Sequence, residues 1–343
     1  MPAFFQPLLL ADVGGTHARF ALGESMTAGE VISVKLHEPQ TLSVTQFDGL
    51  DDAIAAYLGS RGLSGGDLRG ASLAVASPVG SDEIRFTNSP WRFSRTSLAA
   101  RFEFRRLNVV NDFEALAWQL PHSAMSALSS CRVGIEYPEA PRVVLGPGTG
   151  LGVAGLVWAG ASAETRYWQP VPGEGGHVAF APTDEFEIEL LKYLQEIHGR
   201  VSIERIVSGP GMATLHRFVA LSHGVATDQV SPESITRRAL DGEDPIARET
   251  VQRFLAILGG FAGDVALTFG AIGGVYLGGG ILPRLEPMIA ESEFYARFND
   301  KGRYARWVAE IPIHLIVDEH AALRGAAIAF CAGRSPTDDF ATN

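Results

Sequence analysis

The chain has 343 residues, 46% of them hydrophobic and 20% charged, so it is long enough for two domains and has the composition of an ordinary globular protein. Its 28 basic and 39 acidic residues give a net charge of −11. This charge argues against a nucleic-acid partner, because that binding needs lysine and arginine to neutralise phosphates. The two cysteines, Cys131 and Cys331, fit no metal-binding spacing and favour a reducing, cytoplasmic compartment.

The first third of the chain is predicted to alternate between strands and helices. The N-terminus has no basic segment and reaches Asp12 early, so we interpret it as part of the fold rather than as a signal peptide. Apolar residues at helical spacing predict a helix over 46–60, and a second helix follows residue 111. Strands are predicted over residues 7–13, 17–23, 31–37, 71–77, 83–87 and 107–110.

Beyond a Pro- and Ser-rich segment at 121–141, a second series of strands begins. Helices are predicted to dominate 184–270, and Ser231-Pro232 is a helix-start signal. The strands are predicted over residues 142–146, 151–158, 165–171, 275–279 and 313–317. A final helix over 320–333 precedes a polar tail, 334–343, that is predicted to be disordered.

One uncharged stretch, 265–282, approaches the length of a membrane span. It contains six glycines, and Asp264 and Arg284 flank it closely. We therefore predict a buried helix that ends near Gly270, followed by a buried strand, and no membrane span.

Two segments resemble each other, residues 7–23 and residues 141–157. Each consists of an apolar strand, a glycine-rich turn that contains a threonine, and a second apolar strand. A repeated unit of this kind predicts a duplicated domain, with one copy in each half of the chain.

The first of these turns reads Asp12-Val13-Gly14-Gly15-Thr16. Without Cβ atoms, Gly14 and Gly15 let backbone N–H groups converge on an anion such as phosphate, and Thr16 adds a hydroxyl donor. Asp12 supplies the carboxylate oxygen that Mg²⁺ prefers, directly or through water. The alternative is a tight hairpin turn with no ligand.

The second turn contains Gly148, Thr149, Gly150 and Gly152. Its glycines do not fit the dinucleotide pattern G-x-G-x-x-G, and a strand rather than a helix follows it. The chain also has no Gly-Lys-Ser/Thr sequence. If a nucleotide binds here, glycine backbone and threonine hydroxyls hold its phosphates, and the alternative is again a plain hairpin.

A third glycine cluster follows the strand at 275–277 and consists of Gly278, Gly279 and Gly280. Successive glycines at the end of a strand allow a flat group such as adenine or ribose to lie against the backbone. The alternative is an ordinary loop between a strand and a helix.

The stretch VVNDFEALAW, 109–118, places Asn111 and Asp112 where a buried strand ends. A charge at this point costs free energy unless it is paired, caps a helix or faces a cleft. The residues therefore predict either a helix N-cap or a catalytic base at the carboxyl end of a strand.

The remaining polar loops carry groups that bond hydroxyls. Glu174 and His177 lie among glycines, which favours a polar ligand site over a metal site or a surface turn. Glu204 fits equally a first-turn helix residue with Ser202 as the cap. Taken together, the polar groups suit a neutral sugar rather than an anion: Asn88, Asn111, Asp112, Glu174, His177 and Glu204.

With these motifs in this order, the chain resembles the bacterial glucokinases of the hexokinase/actin/heat-shock ATPase superfamily over nearly its whole length. The matching motifs are DVGGT, TNSPW, VVNDFEA, GPGTGLGVA, PGEGGHVAFAP, ERIVSGPG, GGVYLGGGILPR and DKGR. The resemblance implies an α/β, two-lobed actin-like (ribonuclease H-like) ATPase fold with a duplicated mixed β-sheet domain and an interlobe cleft. The small lobe is expected to comprise 1–122 and 318–343, and the large lobe 123–317.

The resemblance also implies a reaction, in which ATP with Mg²⁺ phosphorylates glucose at its 6-hydroxyl. Asp112 matches the catalytic base, and Asn111, Glu174, His177 and Glu204 match residues that bond the sugar, with Asn88 in a segment near it. The first two glycine turns are expected to hold the ATP phosphates, and the third glycine cluster the adenosine. A cytoplasmic homodimer is implied as well.

The chain departs from its relatives at His17, where many carry asparagine. It lacks the zinc-binding cysteine cluster of the separate repressor–kinase group, and no helix-turn-helix segment precedes the kinase region. Two alternatives stay open, namely a kinase for another hexose such as fructose or mannose, and a sugar-binding actin-like regulator without kinase activity. A dehydrogenase is disfavoured by the glycine spacing.

Overall fold

The computed structural model describes residues 6–28, 31–86, 89–135, 137–160, 167–226 and 228–333. The predicted disordered tail and Asn88 lie outside the described residues. The chain divides into two compact units, of which unit 1 is Met1–Ala124 with Asp318–Asn343 and unit 2 is Met125–Val317.

The strands follow one another as β1 (Leu8–Val13), β2 (His17–Ala28), β3 (Val31–Ser43), β4 (Gly70–Val75), β5 (Glu83–Arg85), β6 (Arg92–Ser94), β7 (Leu107–Asn111), β8 (Leu128–Arg132), β9 (Arg142–Pro147), β10 (Leu151–Ala159), β11 (Tyr167–Gly173), β12 (Val275–Leu277) and β13 (Ile313–Ile316). The α-helices are α1 (Leu50–Gly59), α2 (Arg95–Arg101), α3 (Asp112–Gln119), α4 (Glu185–His198), α5 (Gly209–Ser222), α6 (Pro232–Asp241), α7 (Pro245–Phe269), α8 (Leu282–Ile289), α9 (Phe294–Asn299), α10 (Ala305–Ala309) and α11 (Ala321–Ala332).

Unit 1 is built on a five-stranded sheet in the order β3-β2-β1-β4-β7. The middle strand β1 is apolar except for Asp12, and both of its faces are buried along Leu8–Ala11. Leu9 and Val13 pack into one cluster with residues of α1, such as Ile54. Leu8 and Leu10 point to the other face, where they meet side chains of α11. Side chains of a strand alternate between the two faces of its sheet, so one apolar run serves two layers of core.

Helix α11 packs closely on α3 in unit 1. A Cβ atom at Gly325 would collide with the carbonyl oxygen of Ala115, so only glycine allows this backbone approach. Since α3 begins at Asp112, this contact fixes the helix whose first residue is the predicted base.

Unit 2 is built on a six-stranded sheet in the order β11-β10-β9-β12-β13-β8. Its longest helix, α7, has 25 residues and is apolar enough to pass a length-and-composition test for a membrane span, yet 72% of its most apolar window is buried within the protein. The helix ends at Phe269, and Gly270 follows with a left-handed φ of 59°. The prediction of a buried helix ending near Gly270 is therefore confirmed.

The two sheets share one topology, which confirms the predicted duplication. In unit 1, β1 pairs antiparallel with β2 and parallel with β4, and β4 pairs parallel with β7. In unit 2, β9 pairs antiparallel with β10 and parallel with β12, and β12 pairs parallel with β13. Each glycine-rich turn thus joins the same two strands of its sheet.

Several predicted elements differ from the structure at their edges. Strand β3 continues to Ser43, six residues beyond its predicted end at 37. Strand β8 lies in the Pro- and Ser-rich segment, where no strand was predicted. It was missed because it pairs with β13, which is far away in the chain. Ser231 caps α6 as predicted, and its hydroxyl oxygen accepts a hydrogen bond from the Ser234 N–H at 3.3 Å.

Candidate active site

The first glycine turn joins β1 to β2 in unit 1 as a hairpin. The Gly14 N–H donates to the His17 carbonyl at 3.0 Å, which closes the turn. Thr16 is exposed and Gly15 is partly exposed, so the tip of the turn faces solvent. The hairpin alternative thus describes the backbone correctly, and a hairpin of this shape still presents its tip to a ligand.

Asp12 lies at the base of this turn and has a cationic neighbour. Arg19, opposite it on β2, donates from Nη1 to Oδ2 of Asp12 at 3.0 Å. Burial raises the pKa of Asp12, although the charges of Arg19 and His320 act in the opposite direction. The sequence reasoning did not single out Arg19, whose position directly opposite Asp12 follows from the antiparallel register of a two-strand hairpin.

Asn111 and Asp112 form the junction between β7 and α3. The Asn111 side chain is the helix N-cap, since its Oδ1 accepts from the N–H groups of Phe113 at 2.9 Å and Glu114 at 3.3 Å. Its Nδ2 donates to the Ser77 carbonyl at 3.5 Å, which ties the junction to the end of β4. The capping alternative therefore applies to Asn111, and Asp112 is the first residue of the helix, partly exposed.

The strand register brings the first glycine turn and the Asn111-Asp112 junction to the same edge of the unit 1 sheet. Val13 pairs with Val75, and Val75 pairs with Asn111, so β1, β4 and β7 end in one row. Neighbouring strands lie about 4.8 Å apart, which puts the glycine turn and the Asn111-Asp112 junction about 10 Å apart. This is the carboxyl edge of the parallel strands, where α/β sheets bind ligands.

In unit 2 the end of β9, directly before the second glycine turn, meets the third glycine cluster. Their backbones approach so closely that a Cβ atom at Gly146 would collide with the Gly278 backbone. Gly279 has a φ of 85° and lies against the Pro147 carbonyl, so a side chain there is excluded by both space and conformation. The strand end, the second turn and the glycine triplet therefore form one continuous surface of backbone groups.

Glu174, His177 and Glu204 form a polar cluster in unit 2. The His177 Nε2 lies 3.9 Å from Oε2 of Glu174, and its Nδ1 lies 4.0 Å from Oε1 of Glu204. The imidazole thus stands between two carboxylates, and the side chains of Glu174 and His177 are more than half exposed. The sequence alone indicated only the residue types, whereas the structure brings His177 and Glu204 together although they lie 27 residues apart in the chain.

The position of Glu204 differs from the predicted capped helix. Ser202 occupies the N-cap position of a single 3-10 turn, Ile203–Arg205, but its side chain makes no capping hydrogen bond. The Glu204 carboxylate instead accepts through Oε2 from the Leu151 N–H at 2.8 Å. This contact with the second glycine turn was not foreseen, since no local pattern predicts it.

The described residues contain no group of three or more His, Cys, Asp or Glu side chains that would hold a metal. Mg²⁺ commonly keeps several waters and binds through one or two carboxylates together with substrate phosphates. A single carboxylate such as Asp12, beside a glycine-rich turn with free space for phosphates at its tip, fits that pattern.

Comparison with known proteins gives a family match over almost the whole chain. A family model described as Glucokinase matches residues 9–332. The chain is 40% identical to the glucokinase of Saccharophagus degradans over 94% of its own length and 98% of the relative's. It is 44% identical to the glucokinase of Chromohalobacter salexigens, over 94% of its own length and 96% of the relative's.

Solved structures agree with this match. A glucokinase from an Antarctic psychrotroph superposes with a TM-score of 0.80 at 33% identity, covering 96% of this chain and 99% of that one. A ROK family glucokinase from Streptomyces griseus, in complex with glucose and AMPPNP, gives a TM-score of 0.61 at 16% identity, covering 94% of this chain and 98% of that one. These likenesses show the actin-like ATPase fold that the motifs led us to expect.

Proposed function

The chain belongs to the glucokinase family, and on this premise we propose that it transfers the γ-phosphoryl group of ATP to the 6-hydroxyl of glucose. The products are glucose 6-phosphate and ADP. The observation that carries the proposal is the shared row of strand ends in unit 1, at which a glycine turn and the carboxylate of Asp112 lie on one sheet edge. Glucose as acceptor is supported by the curated relatives.

Asp112 is the proposed catalytic base, which accepts the proton of the sugar 6-hydroxyl as its oxygen attacks phosphorus. An ordinary carboxylate is a weak base toward an alcohol. It suffices because phosphoryl transfer passes through a loose transition state, in which alignment and charge neutralisation dominate. The Asn111 cap supports this role, since its bonds to α3 and to Ser77 hold the junction in place.

The remaining sugar hydroxyls are proposed to bond Asn111, Glu174, His177 and Glu204. Carboxylates accept from hydroxyls, and a neutral imidazole both donates and accepts. His177 lies between the carboxylates of Glu174 and Glu204, which supports this assignment. Several hydroxyls of one sugar ring can then bond to the two accepting carboxylates and to the imidazole between them. Asn88, outside the described residues, remains a proposed sugar contact on the strength of its motif.

The ATP phosphates are proposed to lie on the backbone N–H groups and threonine hydroxyls of the two glycine turns, with the adenosine beside Gly278, Gly279 and Gly280. Arg19 adds a guanidinium at the first turn. Mg²⁺ would supply charge neutralisation at the phosphate oxygens, and Asp12 would hold it through a water molecule, as hard cations prefer. The close-packed glycine backbones of unit 2 support an approach by a flat base, since no side chain intervenes there.

The family resemblance also supports two finer proposals. We propose that the protein acts in the cytoplasm, in keeping with two free cysteines. We propose a homodimer, which sedimentation would reveal as a species of twice the chain mass of 36.7 kDa.

The reaction is tested by incubating the purified chain with ATP, Mg²⁺ and glucose and detecting the sugar phosphate directly. Fructose and mannose test the alternative hexoses, and 6-deoxyglucose is the matched control because it lacks only the acceptor hydroxyl. We expect glucose 6-phosphate from glucose and no product from 6-deoxyglucose. Preference for another hexose, or sugar binding without any product, would replace the proposal with one of its two alternatives.

A further inference from the structure

One side chain of unit 2 belongs to both proposed binding regions. The Oε1 atom of Glu204 lies 4.0 Å from Nδ1 of His177, within the polar cluster. Its Oε2 atom accepts from the Leu151 N–H at 2.8 Å, directly after the second glycine turn. The Glu204 side chain is only 28% exposed, so few alternative positions are open to this carboxylate.

The chain that follows Glu204 is also bonded to the same turn. The Gly209 N–H donates to the Gly148 carbonyl at 2.8 Å, at the opposite end of the turn from Leu151. Between these two points, the Ser208 hydroxyl donates to the Glu204 carbonyl at 2.7 Å and caps α5. The segment 204–209 therefore holds the turn from both ends.

The turn in return leaves room for the carboxylate. A Cβ atom at Gly150 would lie 2.6 Å from Oε2 of Glu204, closer than nonbonded atoms approach. A Cβ atom at Gly148, two residues earlier, would meet nothing within 4 Å. Glycine at 150 thus leaves the space that the Glu204 carboxylate occupies, and an added methyl group would displace that carboxylate.

We propose that Glu204 is a positioning residue that couples sugar binding to the shape of the nucleotide phosphate turn. A sugar hydroxyl that donates to Oε1 fixes the plane of the carboxylate, and Oε2 then fixes the Leu151 N–H and the turn before it. Coupling of this kind is reciprocal, so a bound nucleotide raises the affinity for sugar by the same factor. This inference rests on the proposed function, because it takes the turn as the phosphate site and the cluster as the sugar site.

The test measures AMPPNP binding by calorimetry, with Mg²⁺ present, in the absence and in the presence of saturating glucose. For the unaltered protein we expect glucose to raise AMPPNP affinity about 5-fold or more, the lower end of typical coupling. Glu204→Ala should weaken sugar-free AMPPNP binding and abolish the glucose effect. Glu204→Gln should restore the sugar-free AMPPNP affinity, since its amide oxygen still accepts from Leu151, while glucose binding stays weak.

Glu174→Gln is the matched control, because Glu174 contacts His177 but not the turn. Glu174→Gln should weaken glucose binding and leave sugar-free AMPPNP binding unaltered. Once glucose is saturating, it should raise the AMPPNP affinity of this variant as much as that of the unaltered protein. The proposal is overturned if Glu204→Ala binds AMPPNP as tightly as the unaltered protein and keeps the glucose effect. If neither glutamine variant alters glucose binding, the proposed sugar site itself is at fault.

A pair of glycine variants tests the same coupling without touching Glu204. Gly150→Ala should displace the flexible carboxylate rather than unfold the chain, and so lower glucose affinity although residue 150 belongs to the phosphate turn. Gly148→Ala adds the same methyl group where there is space and should leave glucose affinity unchanged. Equal glucose affinities in the two variants would contradict the proposal, and this holds even if Glu204→Ala fails to fold.

Discussion

Asp12 combines a buried setting with a cationic partner, and burial raises its pKa. A raised pKa means that the folded protein holds the proton more tightly than the unfolded chain does. As the pH rises from the ordinary carboxylate value through the raised value, the unfolded chain ionises first, and stability is lost. Ionisation of Asp12 in the folded protein therefore lowers the free energy of unfolding above its raised pKa.

The isosteric change Asp12→Asn removes this ionisation. We expect the variant to gain stability relative to the unaltered protein as the pH rises from the ordinary carboxylate range through the raised pKa of Asp12. Urea unfolding at several pH values measures the difference in the free energy of unfolding. A difference that stays constant across this range would show that the setting of Asp12 does not disfavour its charge.

Glu174 differs from Asp12 in being more than half exposed, with His177 as its near neighbour. Glu174→Gln should mainly raise the KM for glucose, because it changes a proposed acceptor of a sugar hydroxyl and leaves the glycine turns untouched. Steady-state rates at varied glucose measure this. Glu189→Gln, an equally exposed change on α4, is the control and should leave KM unaltered. An unchanged KM in Glu174→Gln would remove this residue from the sugar site.

At the level of the helices, α7 shows that local packing decides whether a glycine position accepts a larger side chain. Its neighbouring glycines, Gly259 and Gly260, face different surroundings. A Cβ atom at Gly259 would collide with the carbonyl oxygen of Phe294 on α9, whereas one at Gly260 comes no nearer than 4.0 Å to Arg297. The first glycine is needed for helix packing, and the second is not.

The two alanine variants should therefore move stability in opposite directions. Gly259→Ala forces α9 away from α7 and should lower the Tm by several degrees, since overpacking costs roughly 1–3 kcal/mol. Gly260→Ala should leave the Tm unchanged or raise it, because alanine is the better helix former by about 1 kcal/mol. Thermal unfolding of both variants measures this, and equal Tm values would mean that α7 and α9 do not pack as described.

The sequence predicted elements well where the signal is local. The apolar run of β1, the glycine that ends α7 and the cap at Ser231 all follow from a few adjacent residues. It did not predict β8, because this strand pairs with β13, more than 180 positions further along the chain, and such long-range pairing has little local sequence signal. The hydrogen bond between Glu204 and the Leu151 N–H was not predicted for the same reason, because the two residues are far apart in the chain.

At the scale of the whole molecule, the duplicated topology explains why two similar glycine turns occur in one chain. Each turn joins an antiparallel pair whose first strand also pairs in parallel with a later strand. The chain has a net charge of −11 and only three lysines. In the proposed reaction, the nucleotide phosphates are therefore neutralised by backbone N–H groups of the glycine turns, with Mg²⁺ and Arg19, rather than by lysine.

The central claim is that Asp112 takes the proton of the sugar hydroxyl, and Asp112→Asn tests it most directly. The change keeps the size of the side chain and its bond to the Phe113 N–H. Glu114→Gln, on the first turn of the same helix, is the matched control and should retain activity. We predict that Asp112→Asn lowers kcat by about 10²-fold or more, whereas the affinities for AMPPNP and glucose stay within about twofold of those of the unaltered protein. Turnover near that of the unaltered protein would contradict the role of Asp112 as the base.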